Sequence, residues 1–330
     1  MKLQSRARGS LIGLAIGDAM GAPTEGMTLD AIRNKWGRVT DFLSKDAAGT
    51  DDTEYAVLCA KGILQHGASL TSAQVADIWL DAVAQQNGGF YGAGFSEMIG
   101  LSNLGAGLRP PHSGQRNNEM WSDGAAMRVA PIGIYAAGNP SLALELAQAE
   151  ASVSHSLDGI FAAQAMAAGV ATAMVSDAFE PVITAIVAAL PSDSWSRRLL
   201  QRALDLVEGV DDPVTAERLL YDSIPIRHYI WADIAPEALA LAIALFKVHK
   251  GQPSVIESGV NIGRDSDTIA AMAGALAGAL SGEEAFPLAW RQQVQTVTGR
   301  CITATKGTDL LVLADQLVAR AERDQEKFNE

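Results

Sequence analysis

Residues 269–280 contain only Ala, Gly, Met, Leu and Ile, with no polar side chain among them. A helix that is apolar on every face must lie inside a large protein or span a membrane. At 1.5 Å per residue this run would reach only ~18 Å, too short for a bilayer. It therefore reads as a central core helix. The loop that opens it, Asn261-Ile-Gly-Arg-Asp-Ser-Asp-Thr268, sets Asp265 and Asp267 on either side of Ser266. Two carboxylates stand at the mouth of a buried helix, and charges held there need partners.

A second helix carries a related constraint. Residues 6–20 read as helical and hold Gly9, Gly13 and Gly17 in register with Gly21, four residues apart. Each interior glycine costs roughly 1 kcal/mol relative to alanine, so a glycine stripe implies very close helix packing. Pro23 ends the helix and Glu25 lies on the turn that follows. Asp18 has the wrong sign for the C-terminal end of its own helix dipole, which points to a functional role for it beside Glu25.

Thr50-Asp51-Asp52-Thr53-Glu54 precedes another helical run, residues 55–65. Thr50 or Asp51 can cap that helix, but capping needs one oxygen and not a whole row of them. Residues 72–86 form an amphipathic helix. Residues 87–123 are dense in Gly, Asn, Pro and Ser and read as mostly loop, with a short helix near 95–101. A loop of this length inside a domain commonly lines a site. Ser122-Asp123-Gly124 then leads into a small-residue helix at 129–137, a candidate anion cradle. His155 lies in a polar junction before a helix at 157–175. Arg227, His228, Tyr229 and Trp231 share a Pro-interrupted loop that can stack on a planar base or pack a helix join.

No alternating strand pattern with hairpin turns occurs, so the fold class is all-α. No Pro/Ser linker divides the chain, and one domain over residues 1–330 is expected. The sequence has 25 Lys+Arg against 38 Asp+Glu, a net charge of −13, which argues against nucleic-acid backbone binding as a main task. Cys59 and Cys301 lack any CxxC spacing, so disulfide scaffolds and zinc clusters are not expected and a reducing cytoplasm fits. The apolar run at 11–16 meets Asp18 too soon for a signal peptide, and no membrane anchoring is expected.

The acids form a set: Asp18, Glu25, Asp51, Asp52, Asp265 and Asp267, with Thr50 and Thr268 beside them. Carboxylate and hydroxyl oxygens without His or Cys are hard ligands, suited to Mg²⁺, Mn²⁺ or Ca²⁺. An EF-hand reading fails because Ala270 and Leu276 stand where Gly and Glu are required. P-loop, HExxH and complete GxGxxG motifs are absent.

These segments, in order, resemble the ADP-ribosylglycohydrolases, which include the dinitrogenase reductase–activating glycohydrolases. The matching pieces are GSLIGLAIGDAMGAPTE (9–25), GTDDT (49–53), DGAAMRVAPIGI (123–134), Ser154-His155 and residues 261–282. The resemblance implies an all-α fold with two Mg²⁺ or Mn²⁺ ions at the base of a cleft. It implies Thr50, Asp51, Asp52, Asp265, Asp267 and Thr268 as metal ligands, with Glu25 at the metal site. It also implies cleavage at the anomeric carbon of an ADP-ribosyl group, with Asp51 or Asp52 helping to deprotonate water and Glu25 assisting. Ser122, Asp123, Gly124, His155 and Asp18 are the expected substrate contacts. Two departures stand out: Gly49 replaces a common Trp, and Asp123 places a negative charge where relatives approach a diphosphate. A small N-riboside is the alternative substrate, and a non-catalytic descendant of the fold is a third reading.

Overall fold

A computed structural model describes residues 2–84, 86 and 92–329. The ends of the expected 72–86 helix and of the 87–123 loop, at residues 85 and 87–91, lie outside the described residues. In chain order the helices are α1 (Leu3–Gly21), α2 (Leu29–Trp36), α3 (Asp51–His66), α4 (Ser72–Ala84), α5 (Phe95–Gly105) and α6 (His112–Gln115). There follow α7 (Gly124–Arg128), α8 (Ala130–Tyr135), α9 (Pro140–Ala151), α10 (Asp158–Ala173), α11 (Glu180–Ala189) and α12 (Trp195–Leu206). The last are α13 (Pro213–Ser223), α14 (Ala235–Val248), α15 (Val255–Asn261), α16 (Ser266–Ser281), α17 (Leu288–Val294) and α18 (Leu310–Asn329). Among the described residues there are only isolated β-bridges and no strand, so the chain is all-α. No helix among them is long and apolar enough to cross a membrane.

The two glycine-bearing helices pack on each other. A Cβ on Gly278 would lie 1.9 Å from the carbonyl oxygen of Gly9, and one on Gly13 would lie 2.2 Å from that of Gly274. Further along, a Cβ on Gly17 would meet the Ala270 backbone at 2.3 Å and one on Gly21 the Cα of Asp267 at 2.4 Å. The partner number falls as the glycine number rises, so α1 and α16 run antiparallel with their backbones in contact. Only glycine permits this approach. Its consequence for function is direct: the C-terminal end of α1, bearing Asp18, is delivered to the N-terminal start of α16, bearing Asp267.

Around this pair, α10 and α14 are almost wholly apolar and buried, and both pack on α16. The 129–137 helix expected from sequence is the shorter α8, and a separate first piece, α7, precedes it across a break at Val129. Pro131, which has no N–H to give the ladder, sits at the start of the second piece. The short helix expected near 95–101 is α5, which runs on to Gly105, whereas α6 and α2 were not foreseen. Thr28 caps α2 by accepting from the N–H of Ala31 at 3.1 Å.

Candidate active site

The start of α3 is held by Asp18. Its fully buried carboxylate accepts the N–H of Thr50 at 2.8 Å and the N–H of Thr53 at 3.0 Å, and the Thr50 hydroxyl at 2.6 Å. The Thr53 hydroxyl donates to it as well. These are the orphan N–H groups of a helix N-terminus, where the dipole favours an anion. The wrong-sign residue of α1 is thus the right-sign residue of α3. The expected cap by Thr50 or Asp51 does not form, because Asp18 takes the position from another helix. Gly49 is also explained, since a Cβ there would lie 2.3 Å from the Thr53 hydroxyl oxygen.

The start of α16 is fixed from the other side. The hydroxyls of Thr24 and Ser266 lie 2.8 Å apart, and Thr24 donates to the carbonyls of Gly21 and Val260 at 2.9 and 3.1 Å. Ser266 therefore faces the protein, which leaves Asp265 and Asp267 to face the cleft. Arg264 holds a left-handed backbone (φ 63°) and pairs with the buried Glu237 at 2.6 Å. Its N–H and carbonyl bond to Met27 and Gly26 at 3.0 and 2.8 Å, which ties the Glu25 turn to the Asp265 loop.

These elements enclose a cleft of about 760 Å³. Its lining includes Glu25, Thr50, Asp51, Asp52, Asp265, Asp267 and Thr268, so every metal ligand expected from sequence converges on one space. Ser122, Asp123 and Gly124 line it too. Carboxylate oxygens of Asp18, Asp52 and Asp267 lie within 4.8 Å of one another, as do those of Glu25, Asp265 and Asp267. Asp267 belongs to both groups. Burial, and then the neighbouring carboxylates, push Asp51, Asp52, Asp265 and Asp267 well above the usual carboxylate range. One oxygen of Asp52 and one of Asp267 are buried with no protein partner. Such orphaned oxygens, in a donor set of carboxylates and hydroxyls, fit a hard divalent cation.

Two expected substrate contacts lie behind the cleft wall. Asp18 is consumed by Thr50 and Thr53. His155 is buried between the hydroxyls of Ser122 and Ser154, at 3.0 Å from Nε2 and 2.8 Å from Nδ1. Burial, and then the nearby Arg128 guanidinium, push its pKa well down, so it stays neutral. The anion cradle at Gly124 is also corrected. The helix it opens has only five residues, and a Cβ on Gly124 would lie 2.2 Å from a carboxylate oxygen of Glu97. Glu97 already occupies that ground.

Sequence reasoning missed Glu97 and Arg128. Arg128 is fully buried and donates to Glu97 at 2.7 Å, Glu150 at 2.8 Å and the Gly124 carbonyl at 2.8 Å. Its guanidinium also stands 4.9 Å from the Trp79 ring centre. The network fastens α5 and its cleft-facing Phe95 to α7. The match to DGAAMR was the available signal, since Arg128 is its last residue. Arg227 turns away from the cleft, donating to the Tyr221 carbonyl and lying 4.8 Å from the Tyr221 ring centre. Trp231 of the same loop lines the cleft beside Phe95, with ring centres 5.0 Å apart.

Residues 1–327 match the family model of the ADP-ribosylglycohydrolases. The chain belongs to the ADP-ribosylglycohydrolase family. Its members are hydrolases acting on glycosidic bonds, and this chain is accordingly an enzyme of that class. An uncharacterised protein of Archaeoglobus fulgidus is 30% identical over 299 residues, covering 84% of this chain and 88% of that one. The ADP-ribosyl-[dinitrogen reductase] glycohydrolase of Rhodospirillum rubrum is 25% identical over 297 residues, covering 87% of this chain and 90% of that one. A solved structure of an ADP-ribosylglycohydrolase-related protein complex shares the fold, with a TM-score of 0.66 at 24% identity over 97% of this chain and 99% of that one.

Proposed function

We propose that this chain is a divalent-cation-dependent glycohydrolase that cleaves the bond at the anomeric carbon of an ADP-ribosyl group. The observation that carries this reading is the position of Asp267 at the cleft floor, with a carboxylate oxygen within 4.8 Å of Asp52 and one within 4.8 Å of Glu25 and Asp265. Two Mg²⁺ or Mn²⁺ ions would be held by Thr50, Asp51, Asp52, Asp265, Asp267 and Thr268, with Glu25 beside the second group. When bound, such ions supply Lewis acidity and make water a competent nucleophile near neutral pH.

The chain's own residues do the rest. Asp51 or Asp52, at the start of α3, accepts the proton of the attacking water. A C–O bond forms at the anomeric carbon as the bond to the leaving group breaks, and the leaving group takes up a proton. Ser122 is fixed by Ser96 at 2.6 Å and by His155, which keeps the α7 loop in place beside the sugar. The tight α1–α16 contact holds both carboxylate groups in register, so positioning is set before substrate arrives.

A second reading, hydrolysis of a small N-riboside such as a nucleoside, is favoured by the Phe95–Trp231 pair on the cleft rim. The two separate on a substrate panel of ADP-ribosyl-arginine, ADP-ribosyl-serine and nucleosides with Mg²⁺ or Mn²⁺. Release of ADP-ribose, lost on chelation and in Asp265→Ala, is the expected result. Nucleoside cleavage without any ADP-ribose release would replace the first reading with the second. Full activity of Asp265→Ala without cation would end both.

A further inference from the structure

Eight carboxylates line the cleft, against two cationic side chains among the described residues, Arg264 and Arg300. Arg264 is neutralised by the buried Glu237, which it meets through Nε at 2.6 Å and Nη2 at 3.2 Å. Arg300 is exposed, and its guanidinium donates only to a backbone carbonyl, that of Asp46, at 3.4 Å. It is the one cleft cation, among the described residues, with no carboxylate partner.

Arg300 is placed by its backbone and not by ion pairing. It lies on the α17–α18 loop, where Glu54 accepts the N–H of Arg300 at 2.8 Å on one oxygen. The other oxygen accepts the N–H of Cys301 at 3.0 Å and that of Ile302. Gln86 adds a bond to the Cys301 carbonyl and one from the Thr303 N–H, both at 2.9 Å, and Lys61 donates to the Ala304 carbonyl at 2.7 Å. Glu54 is wholly buried and stands three residues after Asp51 on α3. The first turn of α3 thus carries Asp51 and Asp52 and also fixes the loop that bears Arg300. A structural anchor would account for Glu54 alone. It would not account for an unpaired arginine delivered to an acidic cleft.

A guanidinium presents a rigid fork of N–H donors that matches phosphate oxygens, and its charge is permanent. The α7 loop cannot play that part here, since Asp123 repels an anion and Glu97 fills the ground at Gly124. We propose that Arg300 is the side chain that meets the diphosphate of the ADP-ribosyl group, with Glu54 as its positioning residue. The diphosphate then lies against the α17–α18 loop and away from the α7 loop. The inference rests on the ADP-ribosyl reading above and adds the residue that senses the charge.

The test measures, by calorimetry at saturating Mg²⁺, the Kd of ADP-ribose and of adenosine for wild type, Arg300→Gln and Glu54→Gln. Arg300→Gln should weaken ADP-ribose about tenfold or more, the scale of a charge-assisted hydrogen bond, and leave adenosine unchanged. Glu54→Gln should weaken ADP-ribose selectively too, whereas a merely structural role would weaken both ligands alike. Arg300, at an exposed position, carries the test if Glu54→Gln does not fold. With ADP-ribosyl-arginine as substrate, the Arg300→Gln loss should fall on KM and spare kcat, because the contact is remote from the anomeric carbon. Unchanged ADP-ribose affinity in Arg300→Gln, or an equal loss for adenosine, would overturn the proposal. ADP-ribosyl hydrolysis at the wild-type KM in Arg300→Gln would overturn it while leaving the glycohydrolase reading intact. A protein that hydrolyses nothing yet binds ADP-ribose through Arg300 would sink the catalytic reading and leave the contact standing.

Discussion

The carboxylate of Asp18, near the end of α1, receives the backbone N–H of Thr50, the residue that opens α3, at 2.8 Å. This one relationship joins the helix that packs on α16 to the helix that carries Asp51 and Asp52. Asp18→Asn would present an amide N–H₂ to donors that already need acceptors. It is expected to cost about 2–4 kcal/mol, as an unsatisfied buried group does. Bound divalent cation should fall with it, because Thr50 loses its anchor. Denaturant unfolding and elemental analysis of the purified variant read both effects, and full cation content in a destabilised protein would refute the positioning role.

The glycine contact is a sharper test of the fold. Gly278→Ala drives a methyl group into the Gly9 carbonyl, and the helices must part. We expect about 3 kcal/mol or more of destabilisation, or insoluble protein. Gly105→Ala is the control. Nothing lies within 4 Å of a Cβ there, so stability should hold or rise by about 0.5 kcal/mol. Thermal melts should show a large fall for Gly278→Ala and none for Gly105→Ala.

Arg128 faces two buried carboxylates, and Glu150 is also pushed up by its own burial, then drawn back by Arg128. Arg128→Met is expected to cost about 3–5 kcal/mol by leaving Glu97 and Glu150 buried without a counter-charge. Adding Glu97→Gln and Glu150→Gln should recover most of the loss, because the penalty belongs to the stranded charges. Urea midpoints across this cycle decide it.

Repulsion among the floor carboxylates disappears when cations bind, so Mg²⁺ or Mn²⁺ should raise the melting temperature. At a hundredfold excess over Kd the gain is about 2.7 kcal/mol per independent site. Asp267→Asn should abolish the whole shift, since both carboxylate groups contain that residue, whereas Glu25→Gln should retain part of it. A melt with and without EDTA distinguishes these outcomes.

His249 gives a pH effect away from the cleft. Its ring lies 2.8 Å from the hydroxyls of both Ser254 and Ser258, and burial, then Arg38, lower its pKa from 6.5 to about 4. The unfolded chain therefore binds this proton more readily than the folded one. Stability from this residue is complete above 6.5 and is lost as pH falls from 6.5 toward 4, by up to about 3 kcal/mol. The melting temperature of His249→Gln should fall less over that interval than that of wild type.

Much of the architecture was legible in local pattern. The apolar run at 269–280 marked a buried helix and the fourfold glycine spacing a closely packed one, because composition alone decides which faces can be buried and how closely backbones can approach. The Thr50-Asp51-Asp52 and Asp265–Thr268 clusters stood out for the same reason: hard ligands in a row have few other uses. What the sequence could not reveal was which partner each isolated charge would meet. Asp18 and Thr50 are 32 residues apart, Glu97 and Arg128 are 31, and Asp123 finds Asp265 across more than a third of the chain. Charge pairing depends on distance in space, and only packing sets that distance. Tertiary structure thus moved Asp18 and His155 behind the wall and set Asp123 in the cleft beside Asp265 and Asp233. The stripe of glycines determined that α1 would pack closely on another helix; tertiary structure decided that the partner is α16, and their antiparallel register builds the site.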